Sequence, residues 1–218
     1  MKKLVIWDLD GTLFDTTRAM QFCGNTALKE IGYKPFARMR YARFSGGGVE
    51  GFVGAILDAA GDREHRYFDK FWQAYLASQK DLPADANRIY PGIRRVLQQC
   101  KANGVKMAVL SNKDESSCRA IVSEAFGDAF DLVLGNTPDR PAKPDPAGVS
   151  ALAEFFDATS DQILYVGDTS VDLDCATRAG VPCAAALWGY RTKEELSSYH
   201  PVLWAEKPQD LIPVILES

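Results

Sequence analysis

The sequence predicts an α/β fold: a parallel sheet covered by helices on both faces, carrying one all-helical insertion. Three features of the chain predict it. Short, continuous apolar runs recur along its length, helix-period segments separate them, and one long stretch near the N-terminus contains no strand-like run. Runs this short and this continuous suit strands buried on both faces, and their alternation with helices calls for right-handed crossovers.

Leu4–Trp7 is the first strand, cut off by Asp8 and Asp10. From about Thr16 to Arg88 the strand signal disappears, and Thr17–Ile31, Val49–Gly61 and Asp62–Lys80 read as helices rich in Ala, Phe and Tyr. The expected boundaries are therefore 1–15 with 89–218 for the sheet domain and 16–88 for the insertion. Alternation resumes at Tyr90-Pro91-Gly92. A helix over Ile93–Asn103 aligns Val96, Leu97 and Cys100, and strand Met107–Leu110 follows. Ser116–Phe126 aligns Ile121, Val122 and Ala125 before strand Leu132–Leu134. Pro146–Phe156 aligns Val149, Leu152, Ala153 and Phe156 before strand Ile163–Val166. A helix through Cys175 leads to strand Ala184–Leu187, and Val202–Trp204 is a short final strand. No internal repeat or low-complexity tract interrupts this order.

Composition narrows the function class. The 218 residues carry a net charge of −4, with 46% hydrophobic and 25% charged residues, which are ordinary globular values. Mild acidity argues against nucleic-acid binding by bulk charge. The five cysteines are odd in number and form no CxxC pair, so free thiols in a cytoplasmic protein are expected. No apolar run reaches the ~20 residues a bilayer requires, and Leu4–Trp7, cut short by Asp8 and Asp10, is unlike the apolar stretch of a signal peptide. The expected partner is a small metabolite, with no membrane and no nucleic acid, for a monomer or homodimer.

The chemistry lies at the strand ends. The first strand ends in Asp8-Leu9-Asp10-Gly11-Thr12, the second in Ser111-Asn112-Lys113, and the fourth in Gly167-Asp168-Thr169-Ser170-Val171-Asp172. The loop Ala142-Lys143-Pro144-Asp145-Pro146 follows the third. Open α/β sheets bind ligands outside the carboxyl ends of their strands, so these groups should converge. Clustered carboxylates repel unless a cation sits among them, and Mg²⁺ prefers oxygen ligands. A lysine and a hydroxyl beside such an ion can hold phosphate oxygens, and a carboxylate can serve as nucleophile. The inventory suits phosphoryl transfer.

These segments, in this order, resemble the four motifs of the haloacid dehalogenase superfamily: Asp8–Asp15, Leu110–Lys113, Lys143–Pro146 and Gly167–Asp172. Tyr90-Pro91-Gly92 and Trp188-Gly189-Tyr190 resemble the phosphoglycolate phosphatase branch. The resemblance spans essentially the whole chain. It implies a Rossmann-like three-layer core of strand order 5-4-1-2-3, an inserted helical cap, and Mg²⁺-dependent hydrolysis of a small phosphate monoester such as 2-phosphoglycolate. It implies Asp8 as nucleophile and metal ligand, and Asp10 as acid, then base, with its carbonyl on the metal. Ser111 and Lys143 would hold the phosphoryl group, aided by Gly11, Thr12 and Asn112. Asp168 would ligate Mg²⁺, and Asp172 would bind a metal water or orient Lys143. Arg43 is the expected cap contact if the substrate carries a carboxylate, the alternative being an ordinary exposed arginine.

The same residues admit other readings. An EF-hand fails because Leu13 and Ala19 stand where its Gly and Glu belong. Gly46–Gly51 matches GxGxxG by letter, but the basic Met39–Ser45 before it is no buried strand, so a cap loop is expected instead. Asp15 suits an N-cap or hinge, and Ser111, Asp168 and Asp172 could each cap a helix. A β-phosphoglucomutase-like transferase or a non-catalytic phosphate sensor would share the core. A dehalogenase is disfavoured because Asp10, an acid for the leaving group, is present.

Overall fold

The computed structural model describes residues 1–217, so position 218 of the expected sheet domain lies outside the described residues. The chain divides into two compact units, Met1–Phe14 with Ile89–Ser218 and Asp15–Arg88. Two two-residue strands, β2 (Phe14–Asp15) and β3 (Arg88–Ile89), mark the chain crossings.

The first unit is built on a six-stranded sheet of β1 (Leu4–Trp7), β4 (Lys106–Asp114), β5 (Leu132–Asn136), β6 (Ile163–Gly167), β7 (Cys183–Ala186) and β8 (Leu203–Ala205). All its pairings are parallel, in the order β5-β4-β1-β6-β7-β8. This is the expected order with β8 added outside β7. Successive residues of β1 point to opposite faces: Val5 and Trp7 enter one core, Leu4 and Ile6 the other. The first core is closed by α5 (Ile93–Ala102), α6 (Glu115–Phe126) and α9 (Leu211–Leu216), through Val96, Cys118, Val122, Leu211 and Ile215. The second is closed by α7 (Ala147–Phe155) and α8 (Ser170–Ala179), through Val149, Leu152, Leu173 and Ala176. Three layers result, because a strand buried on both faces needs helices on both sides.

The second unit is helical: α1 (Thr17–Glu30), α2 (Arg38–Phe44), α3 (Gly48–Ala60) and α4 (Phe68–Ser78). Asp15 accepts from the Thr17 main-chain N–H at 3.0 Å and from its hydroxyl at 2.5 Å, and so caps the first turn of α1. Tyr41 of α2 is fully buried and donates to Asn25 Oδ1 of α1 at 2.8 Å. The segment Met39–Ser45 is thus mostly helix, and Gly48–Gly51 is the first turn of α3 rather than a loop. No helix among the described residues is long and apolar enough to cross a membrane.

Candidate active site

Strand β1 delivers Asp8 at its carboxyl end, 5% exposed. The backbone then turns at Gly11, whose φ of 101° is unfavourable for any residue with a side chain. A Cβ there would also run into the Asp168 carboxylate, so the turn and the carboxylate share one space. Asp168 is fully buried at the end of β6. Its Oδ1 accepts from the Thr12 hydroxyl at 2.8 Å and its Oδ2 from the Tyr190 main-chain N–H at 2.8 Å. Gly189 lies equally close, since a Cβ there would meet the Asp168 side chain.

Lys143 joins the strand ends. Its ammonium is almost wholly buried and donates to Asp8 Oδ1 at 2.6 Å, Asp172 Oδ1 at 2.6 Å and the Leu110 carbonyl at 3.1 Å. Asn112 fixes the Lys143 backbone from both sides, donating to its carbonyl at 2.9 Å and accepting from its N–H at 2.8 Å. Asp172 serves two structures. Its Oδ2 accepts from Thr169 N–H at 3.0 Å and Thr169 Oγ1 at 2.7 Å, capping α8, while Oδ1 holds Lys143. Tyr165 adds a hydroxyl donor to that same Oδ1 at 3.2 Å.

One ammonium stands against three buried carboxylates, and the charges respond. Burial, reinforced by repulsion from Asp172, pushes Asp8 well above the usual carboxylate range despite Lys143. Burial and Asp172 also push Asp168 up to about 7. Burial works against Asp172 as well, but Lys143 and Thr169 hold it below its ordinary value. Burial opposes the charge on Lys143, yet Asp172 and Asp8 push it well above the usual lysine range. The ligand atoms of Asp8, Asp168 and Asp172 lie within 4.8 Å of one another. An all-oxygen, buried, negatively charged donor set of this kind fits a small hard divalent cation such as Mg²⁺.

The sequence-predicted residues divide by position. Asp8, Lys143, Asp168 and Asp172 are drawn into one bonded cluster, and Ser111 is buried on β4. Asp10 is part-buried, and its carboxylate is paired with Lys113 rather than joined to the cluster. Thr12 and Asn112, expected to meet a phosphate, use their side chains on Asp168 and on Lys143. Arg43 is exposed on α2 of the helical unit. Ser111 does not cap the next helix. Asp114 does, accepting from Ser117 N–H at 3.0 Å.

Residues 5–186 match the family model for haloacid dehalogenase-like hydrolases. The chain belongs to this family. Curated relatives of this haloacid dehalogenase-like hydrolase include the phosphoglycolate phosphatase of Aquifex aeolicus, 31% identical over 98% of this chain and 96% of the relative. The phosphoglycolate phosphatase of Rhodobacter capsulatus is 33% identical over 88% and 87%. A solved structure from Lactobacillus delbrueckii subsp. bulgaricus covers both chains completely with a TM-score of 0.90 at 24% identity, which shows the shared fold. This haloacid dehalogenase-like hydrolase is accordingly an enzyme, a phosphatase by its curated relatives.

Proposed function

We propose that the enzyme hydrolyses a small carboxylated phosphate monoester of the 2-phosphoglycolate kind, through a phosphate ester formed on Asp8. The observation that carries this reading is the buried bridge from Lys143 to Asp8 and Asp172 beside Asp168. A carboxylate fixed at a strand end, with an ammonium on one oxygen, is oriented for in-line attack on phosphorus. In the first step a bond forms between Asp8 and phosphorus as the ester P–O bond breaks, and Asp10 gives its proton to the leaving oxygen. In the second, water attacks phosphorus, Asp10 takes its proton, and Asp8 and inorganic phosphate are released. Lys143 and the Ser111 hydroxyl donate to the phosphoryl oxygens. Asp8, Asp168 and the Asp10 carbonyl would hold Mg²⁺, with Asp172 behind them, and the bound ion supplies the positive charge that the phosphoryl oxygens and carboxylates need. The five cysteines are buried and none is in a disulfide, which supports a reading of the enzyme as cytoplasmic.

A panel of phosphorylated metabolites assayed with Mg²⁺ tests the reading. Turnover should be fastest with 2-phosphoglycolate or a close carboxylated analogue. Absence of turnover with every phosphate monoester, p-nitrophenyl phosphate included, would refute it.

Metal binding has its own readout. Asp168 has a raised folded-state value of about 7, so the stability tied to its proton is full below the ordinary carboxylate range and is lost as pH rises through about 7. A cation competes with that proton. Mg²⁺ at a hundred times its Kd should therefore raise Tm by roughly 5–10 °C at about pH 8, and by much less at about pH 5.5. An equal shift at both values, or none, would count against metal at Asp168.

The helical unit is proposed to supply the choice of substrate, with Arg43 as the cation for the carboxylate. Such a charged hydrogen bond contributes about 1.5–3 kcal/mol, or roughly ten- to over a hundred-fold in kcat/KM. Arg43→Ala should lower kcat/KM for 2-phosphoglycolate by that factor and spare p-nitrophenyl phosphate. Parallel loss on both substrates would assign Arg43 a structural role.

A further inference from the structure

Lys113 follows Ser111 by two positions on β4, where the strand continues past its apolar stretch to Asp114. Its backbone is tied down twice: the N–H donates to Ser111 Oγ at 3.2 Å, and the carbonyl accepts from Cys118 Sγ at 3.5 Å. The side chain then crosses to β1's loop and donates to Asp10 Oδ2 at 3.2 Å. Both groups are largely shielded, at 27% and 19% side-chain exposure, so the pair is more than a solvated surface contact. The other carboxylate oxygen, Asp10 Oδ1, is buried and has no hydrogen-bond partner among the described residues. A buried, unpartnered acceptor is costly, which marks Oδ1 as an atom waiting for a ligand.

We propose that Lys113 is a positioning residue for Asp10: by holding Oδ2 it fixes the carboxylate so that Oδ1 is the atom that passes the proton. This rests on the acid–base role of Asp10 proposed above. The proton leaves Oδ1 for the leaving oxygen as the ester P–O bond breaks, and Oδ1 later receives a proton from the attacking water. Lys113 itself touches neither phosphorus nor leaving group. A carboxylate released from this hold would sample other rotamers, and misplacement of a catalytic group by about 1 Å can cost roughly a hundred-fold.

Leaving-group dependence tests the assignment. Protonation of the leaving oxygen matters for an alkyl phosphate and little for p-nitrophenyl phosphate, which departs unaided. Lys113→Met should lower kcat for 2-phosphoglycolate by about ten- to a hundred-fold, with a clearly smaller loss on p-nitrophenyl phosphate. Lys113→Arg should restore most of the difference. The double variant Asp10→Asn/Lys113→Met should be no worse on the alkyl substrate than Asp10→Asn alone, because both remove one function. Equal losses on the two substrates, or additive losses in the double variant, would overturn the proposal. Should Lys113→Met fold poorly by circular dichroism, Lys113→Gln carries the same comparison. The underlying reading fails separately: Asp10→Asn itself would then show equal losses on both substrates.

Discussion

Replacing Asp8 with Asn is expected to lower kcat by roughly four orders of magnitude or more, the scale on which removal of a catalytic nucleophile acts. The amide matches the carboxylate in size but is a far weaker nucleophile. Stability should move in the opposite sense from activity, or hardly at all. Asp8 is buried and repelled by Asp172 and Asp168, so its charge opposes folding except through Lys143. Lys143 keeps Asp172 and the Leu110 carbonyl after the substitution. Steady-state kinetics and a thermal melt on one preparation check both halves. Activity within tenfold of the parent would remove Asp8 as nucleophile.

Lys143→Met should damage both quantities. Taking away the ammonium leaves Asp8 and Asp172 buried beside each other and beside Asp168 with their repulsion unopposed. Breaking a buried ion pair from one side costs about 3–5 kcal/mol, which for a chain of this size is a fall in Tm of roughly 6–20 °C. Loss of the proposed donor to the phosphoryl oxygens should lower kcat by a further factor of about 10²–10³. The destabilisation should grow with pH, because protonation relieves the stranded carboxylates at low pH. Mg²⁺ should recover part of the lost Tm without recovering kcat. An unchanged melt would mean that the ammonium is not what holds the carboxylates together.

Comparison of these residues with the sequence shows which physical signals are legible. Leu4–Trp7, Leu132–Leu134 and Ile163–Val166 are continuous apolar runs; the first and last form the two middle strands of the sheet and Leu132–Leu134 forms an edge strand. Strand β4 reaches Asp114 although its apolar stretch ends at Leu110, because pairing with β5 resumes past a register shift that hydrophobicity cannot reveal. Helix α2 has only Tyr41 and Ala42 buried and four arginine- or methionine-bearing positions around them, too narrow an apolar stripe to be read as a helix. Helix α9 is six residues, below the length at which periodicity is readable. In the site, the charged groups at strand ends stood out because polar residues there interrupt buried runs. Tyr165 did not, since an aromatic inside Ile163–Gly167 reads as core until its hydroxyl is seen on Asp172. Lys113 stood at the end of the second motif with no role of its own, and only the fold brings it to Asp10 from a separation of 103 residues.

Because one carboxylate of Asp172 both starts α8 and grips Lys143, the centre cannot be assembled piecemeal. Lys143 meets Asp8 across 135 residues of chain and Asp172 across 29, while Thr12 meets Asp168 across 156. Contacts of such separation form late, after the loops between them have closed. A nascent chain that has not yet emerged past α8 therefore holds Asp8 and the Lys143 ammonium without Asp172, the second anchor of that ammonium. Turnover in this enzyme is a certificate of completed folding: in a refolding time course, helical signal should return first and catalysis last.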